Sequence, residues 1–502
     1  MAWPLTAIPD TVSLWSGLAV LCALYLIGRS IYDVFLGPLS KFPGPPLWAL
    51  THIPRLVAQA AGVESQVHAK LHRQYGNVVR VGPRELSFTN GAQAWREIYG
   101  FRKHGQIQPG KDKIFYVNPS EGVPSILGAS DVNHARVRRI LAHAFSDKAL
   151  KDQEPLLRRW MSLMSSKLGE HANGVDRVDI MKIYNCTTFD VMGELTFSES
   201  LGMLQDSKYS PWVETIFRSI KTATQFRSLR QFHAVTRFIL DEILFKSKSA
   251  QLQLREHQRY TSDRVNRRLE REPDHPDFWT KILAKHEEEG GLTLEEHYSN
   301  ASLFMMAGTE TTATALSGTT YHLLRNPECL KKLTEEIRSA FDGLDDVTLD
   351  KAARLRYVHA VLQEAMRLYP PLPIALPRTT PVGGSTICGE YVPANVTVGV
   401  NHFATYRMEQ HFKNPTEFHP ERWLSDPEYL HDHLDAVEPF SIGPRNCLGK
   451  NLAWHEMRLL LVGVLLHFDL QLDEASEHWD DQKVYTLWEK RPLWCTLKAV
   501  KS

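Results

Sequence analysis

"FSIGPRNCLG", residues 440–449, sets one cysteine between two glycines, beside an arginine, and just ahead of a stretch, residues 450–468, that reads as a helix. At a helix start, unpaired backbone N–H groups and the positive end of the dipole favour an anionic sulfur and lower its pKa. Gly443 and Gly449 allow a tight turn and the close approach of a flat ligand to backbone. Phe440 is placed to cover the sulfur from water, and Arg445 to pair with carboxylates of such a ligand. A thiolate is a strong, soft donor for iron, tuned by hydrogen bonding and burial. For the cysteine alone, a buried structural thiol is the plainer reading.

The rest of the chain narrows the choice. It has 502 residues, 43% hydrophobic and 23% charged, which is globular composition with room for a sizeable core. Lys+Arg and Asp+Glu both number 58, so no charge bias recommends nucleic acid or an acidic partner. The six cysteines, Cys22, Cys186, Cys329, Cys388, Cys447 and Cys495, form no C-x-x-C pair and no disulfide-like cluster, which fits a reducing compartment.

Residues 11–28 (TVSLWSGLAVLCALYLIG) carry no charge and as a helix would be about 27 Å long, enough to span a thin bilayer. A cleaved signal peptide is the alternative, but no basic region precedes the run and no small-x-small site follows it. Asp10 before the segment, with Arg29 and Lys41 after it, leaves the long remainder on the cytosolic side, at the endoplasmic reticulum in a eukaryote. Residues 41–46 (KFPGPP) are too proline-rich for a helix and predict a stiff, extended hinge. The expected organisation is an anchor in residues 1–40 and one large domain in residues 41–502.

Apolar residues recur at three and four spacing in residues 134–150, 211–226, 232–245, 296–326, 327–341 and 357–369. Strand-like runs are short, at residues 77–89 and 391–401. The fold class is therefore mainly α with small β-sheets. Charged stretches at residues 264–277 and 285–291 read as solvated faces and loops.

The ten-residue stretch resembles the F-x-x-G-x-R-x-C-x-G haem-binding signature of the cytochrome P-450 family, matched at Phe440, Gly443, Arg445, Cys447 and Gly449. The resemblance runs from the anchor to the C-terminus and implies haem b with an axial thiolate from Cys447. In "LQEAMRLYPP", Glu364 and Arg367 share a helical face and match the family's E-x-x-R pair. "FHPERW" looks like the segment whose Arg422 completes a buried, structural charge cluster with them. "FMMAGTETTA" resembles the oxygen-binding helix: Ala307 and Gly308 are small enough to leave space, and its threonines can bond back to helix carbonyls and open the ladder. Glu310 and Thr311 match the acid–alcohol pair that relays protons; Thr312 has no assigned role. Arg138 and Arg378 fall where the family holds the haem propionates. His134 stands where the family often has tryptophan and could still donate a hydrogen bond.

A cysteinate favours O–O cleavage, so the resemblance implies a monooxygenase that hydroxylates or epoxidises a lipophilic molecule. No nucleotide or flavin fingerprint is present, so electrons from NADPH must arrive through a partner: an NADPH–cytochrome reductase, with cytochrome b5 a further candidate. Arg136, Arg139 and Lys450 could offer a docking face. The pocket would be lined from the segment before residue 134, residues 225–235, the helix near Phe304, and residues 371–376. The wording of residues 82–86, 143–150 and 188–197 is similar to filamentous-fungal enzymes of the trichothecene-hydroxylase type, which implies a terpenoid or polyketide-derived secondary metabolite. Two alternatives stay open: a haem-thiolate isomerase or dehydratase needing no external electrons, and a non-enzymatic haem-binding membrane protein.

Overall fold

The computed structural model of the chain describes residues 10–102, 107–116, 123–229, 248–284 and 291–500. Helix α1 (Asp10–Phe35) opens the described chain and runs further than the uncharged segment, because Arg29 and Asp33, one turn apart, pair at 2.8 Å and continue it. Within it, Trp15–Phe35 is long and apolar enough to cross a membrane, and its most apolar 18-residue stretch has no buried residue.

The proline segment after it has no regular structure only over residues 43–45, because Pro46, contrary to expectation, opens a short helix (Pro46–Leu50) at a position where proline's missing N–H costs nothing, and it is not a free hinge. The Arg80 amide donates to the Pro43 carbonyl at 2.8 Å, Phe42 is buried, and a Cβ on Gly44 would lie 2.4 Å from the Arg80 carbonyl oxygen. It is strapped to the edge strand β1 (Val78–Gly82).

Strand β1 turns back into β2 (Glu85–Phe88), and both belong to a five-stranded sheet completed by β3 (Gly110–Lys111), β4 (Arg378–Thr379) and β5 (Thr397–Val400), in the order β1-β2-β5-β4-β3. β2 and β5 are parallel and the other pairs antiparallel. β3 and β4 lie together at one edge, so Lys111 is paired directly with Arg378.

The larger core is helical. Helix α2 (Asp131–Ala142) is capped by Ser130; α3 (Ile180–Phe197) is buried nearly all round; α4 (Leu294–Arg325) starts at a Thr293–Glu296 capping box. Helix α5 (Arg356–Leu368) carries the E-x-x-R pair, and α6 (Lys450–His467) follows the cysteine loop. The most extensive helix contact is α3 against α4, which fixes one face of α4 and leaves another for the site.

Elsewhere the periodic segments form the expected helices, except that residues 134–150 break into two where Ser146 caps a new one, and residues 232–245 lie outside the described residues. The charged stretch at residues 264–277 is not all solvated: Arg268 and Asp277 form a buried ion pair, and Asp277 caps the next helix. Of residues 285–291, only Gly291 is described.

Candidate functional site

The cysteine loop is pinned from two sides. Gly443 has φ +76, and a Cβ there would lie 2.0 Å from the Tyr99 carbonyl oxygen, so its glycine is demanded by neighbouring backbone rather than by a flat ligand. Gly449 is different: only the Phe145 ring, at 3.9 Å, would meet a Cβ there. It is the N-cap of α6, and its N–H donates to the Cys447 sulfur. The Cys447 amide donates to the Phe440 carbonyl at 2.8 Å, while the Phe440 ring lies 6.1 Å from that of Trp454.

Cys447 is exposed, yet desolvation pushes its thiol up, against the opposing pull of the Gly449 N–H, Arg138 and Lys450. Accessible and desolvated together describe a thiol facing an interior hollow. Burial raises the thiol, while the Gly449 N–H at the helix start and the two cations act in the direction that the helix start implies.

Helix α4 shows the matching feature. Phe304, Met305, Thr309 and Glu310 are buried, but Ala307 is exposed in mid-helix and Thr311 half-buried. Thr311 Oγ1 donates to the Ala307 carbonyl at 2.6 Å. Such back-bonds form as expected, but α4 stays unbroken. Gly308 is small for another reason: a Cβ there would meet Met192 Sδ of α3 at 2.6 Å. Phe304 packs among Phe145 and Phe278 at 5.4 and 5.6 Å rather than toward the hollow.

Glu310 does not share the outlook of Thr311. Its carboxylate pairs with Lys490 at 2.7 Å, both nearly fully buried, and Lys490 also donates to Thr314 at 2.8 Å. Burial raises the Glu310 pKa and Lys490 pulls it back. Its Oε2 has no hydrogen-bond partner among the described residues. Lys490 lies in the chain's final segment, with no pattern that could have announced it. Lys490→Met should destabilise the fold by about 3–5 kcal/mol by stranding a buried carboxylate, and the Glu310→Gln/Lys490→Met pair should cost less than the sum of the single changes. Urea midpoints check this; additive losses would mean that the two are uncoupled.

Near the cysteine loop, cations gather with little to balance them. Arg138 donates to the Asn446 backbone carbonyl at 2.8 Å and to its side chain. Arg445 donates to Asp131 and to the Ala129 carbonyl, both at 2.7 Å, leaving its buried Nη1 without a partner. Buried Arg378 also has an unpartnered Nε. Lys111, which no motif marked, is lowered to about 6 by burial and by Arg445 and Arg378. His134 is buried and held to about 4 by burial, Arg445, Arg138 and Lys111, so it is neutral here. Arginines with unused donors, beside a lysine that burial and those arginines push toward its neutral form, fit a dianionic ligand that would restore the balance.

An accessible thiol, an exposed small residue on α4 and a group of basic side chains with unused donors are features that a haem-thiolate site requires. The comparisons give the family. The sequence profile described as Cytochrome P-450 matches residues 42–495, and the chain belongs to the cytochrome P-450 family. It is 47% identical over 503 residues to Cytochrome P-450 monooxygenase efuB of Hormonema carpetanum, covering 99% of each chain. It is 41% identical over 473 residues to Cytochrome P-450 monooxygenase astJ of Aspergillus oryzae, covering 93% of this chain and 94% of the other. It is also 38% identical over 480 residues to averantin hydroxylase of Dothistroma septosporum, covering 94% and 89%. Membership implies a haem iron with a thiolate ligand and monooxygenase activity.

Proposed function

We propose that the chain is an NADPH-dependent haem-thiolate monooxygenase, held at the endoplasmic reticulum by α1 with its catalytic domain in the cytosol, that hydroxylates or epoxidises a lipophilic secondary metabolite of terpenoid or polyketide origin. The observation that carries this is the Cys447 thiol, accessible inside the protein, on the loop preceding a helix that packs against α4. The bound haem would supply activation of dioxygen, for which a thiolate ligand favours O–O cleavage.

The chain's own residues do the rest. Cys447 would be the ligand, oriented by the Gly449 N–H. Arg445, Arg378, Arg138, Lys111 and neutral His134 would hold the propionates. Thr311 would hand a proton into the hollow from Oγ1 by exchanging its bond to Ala307 for one with water. Glu310, turned toward Lys490, would serve as the buried reservoir behind it rather than as a direct donor. Exposed Arg139 and Lys450 would face a reductase or cytochrome b5, whereas Arg136 is tied to Glu296 and the Gly291 carbonyl.

Turnover with a reductase, NADPH and isotopically labelled dioxygen tests the reading: the product should carry label from dioxygen, and unlabelled product or turnover without NADPH would overturn it. Thr311→Ala should lower product formed per NADPH by roughly 10-fold or more, with peroxide released instead. Unchanged coupling would remove Thr311 from proton delivery.

A further inference from the structure

Lys490 and the residue before it face opposite ways. The Lys490 ammonium is buried against Glu310 and Thr314 and lies 3.4 Å from Asn185 Oδ1 of α3. Glu489 is exposed and pairs at 2.7 Å with Lys221, on the helix Pro211–Leu229. Two consecutive side chains therefore join that helix to Glu310.

The exposed pair is a weak tie on its own, but the same helix also grips the hairpin that leads into it, Val484–Tyr485 against Leu487–Trp488. The Lys221 ammonium lies 4.8 Å from the centre of the Tyr485 ring, Thr224 and Thr486 share a hydrogen bond at 2.8 Å, and Arg227 donates to Thr486 Oγ1 at 2.6 Å. Thr486, at the tip of the hairpin, has φ +70, a costly conformation for a β-branched residue that persists only where its surroundings impose it. Trp488 is the fixed point beyond the tip: its ring stacks on Tyr369 with centres 4.4 Å apart, and its N–H donates to the Pro370 carbonyl at 2.8 Å. A strained tip held by the helix thus stands on one side of Trp488 and the buried ammonium on the other.

Lys490 both turns the Glu310 carboxyl away from Thr311 and, against the effect of burial, favours its charged form. The other titratable groups facing Glu310 among the described residues are the Tyr369 and Tyr209 phenols, both raised by burial and neutral at pH 7. Residues 225–229, at the end of the helix Pro211–Leu229, belong to the segment that the family resemblance places along the substrate pocket.

We infer that Lys490 is a positioning residue that locks Glu310, and that the helix Pro211–Leu229 holds the lock closed through Glu489 and Thr486 until an arriving substrate displaces it. This rests on the monooxygenase reading and adds its regulation: protons reach the hollow only when a substrate is seated. Once freed, Glu310 takes a proton from bulk water and passes it through water to Thr311 Oγ1 as Thr311 hands on its own. The carboxylate then returns to Lys490, and no electron moves in this step.

Because Lys490→Met strands a buried carboxylate, the test opens the lock from the helix side, with the triple variant Lys221→Ala/Thr224→Val/Arg227→Gln. In the haem-loaded full-length protein with reductase and NADPH but no substrate, this variant should release peroxide about 5-fold or more faster than the wild type. Adding Glu310→Gln should bring the rate back to within about 2-fold of the wild type. A second readout needs no turnover: the infrared carboxyl band that Glu310→Gln removes should be larger in the triple variant than in the wild type at pH 7. Peroxide release equal to that of the wild type, release that persists with Glu310→Gln, or an unchanged Glu310 band would overturn the lock. The reduced carbon monoxide spectrum separates the causes. A normal haem-thiolate band in the wild type with an unchanged Glu310 band defeats the lock alone. A missing haem-thiolate band defeats the monooxygenase reading, and the infrared comparison then still decides whether the helix sets the state of Glu310.

Discussion

Cys447→Ser should load haem yet lack the strongly red-shifted Soret band that the wild type shows when reduced under carbon monoxide, and its product formation should fall to background. The expectation follows from what surrounds the sulfur. The loop is clamped through Gly443 against Tyr99 and through Asn446 to Arg138, so serine enters the same backbone without rearranging it. The propionate-side cations would still retain the macrocycle. What disappears is a polarisable, anionic donor: a serine hydroxyl stays protonated where a coordinating thiol gives up its proton to the metal. A red-shifted band in both proteins would free Cys447 from the ligand role, and a haem-loaded wild type without the band would defeat the assignment outright.

Much of this was legible because the relevant residues are local in sequence. The signature places Cys447, Gly443 and Gly449 within ten residues, and the amphipathic spacing of α5 marks its buried face. Helix α3 gave no such signal: it is buried on nearly every side, so it has no polar stripe to produce a period. The partners that tune the site were hidden for another reason. Lys111 reaches Arg378 only through the pairing of β3 with β4, and Lys490 reaches Glu310 from 180 residues further along the chain. Adjacent positions also misled: Glu310 and Thr311 look like a unit, yet a step of about 100° around a helix turns one toward Lys490 and leaves the other half-exposed. The prolines of residues 41–46 could show neither that Pro46 opens a helix nor that β1 binds the segment.

The E-x-x-R pair is where burial decides the magnitude. An exposed pair three residues apart would contribute roughly 0.2–0.5 kcal/mol, whereas Glu364 and Arg367 have no exposed side-chain surface. Arg367 donates to both Glu364 oxygens, at 2.9 and 2.8 Å, and Arg422 donates at 3.0 Å. The Trp423 indole and the His419 amide complete the set, at 2.9 and 3.0 Å. Although burial opposes ionisation, these partners prevail and hold Glu364 at about 2 instead of 4.5. That gap corresponds to about 3 kcal/mol. Because the folded pKa is depressed, the stabilisation is complete above the unfolded value and is lost as pH falls toward 2. Glu364→Ala should therefore cost about 3–5 kcal/mol at pH 7, since it leaves buried Arg367 with backbone carbonyls but no counter-ion. The same change should leave a smaller stability loss between pH 5 and 3 than the wild type suffers. Urea midpoints of both proteins across that range measure the two effects together. A difference below about 1 kcal/mol at pH 7 would place the pair with ordinary surface ion pairs, and a parallel acid dependence in the two proteins would mean that Glu364 is not the group whose protonation loosens the fold.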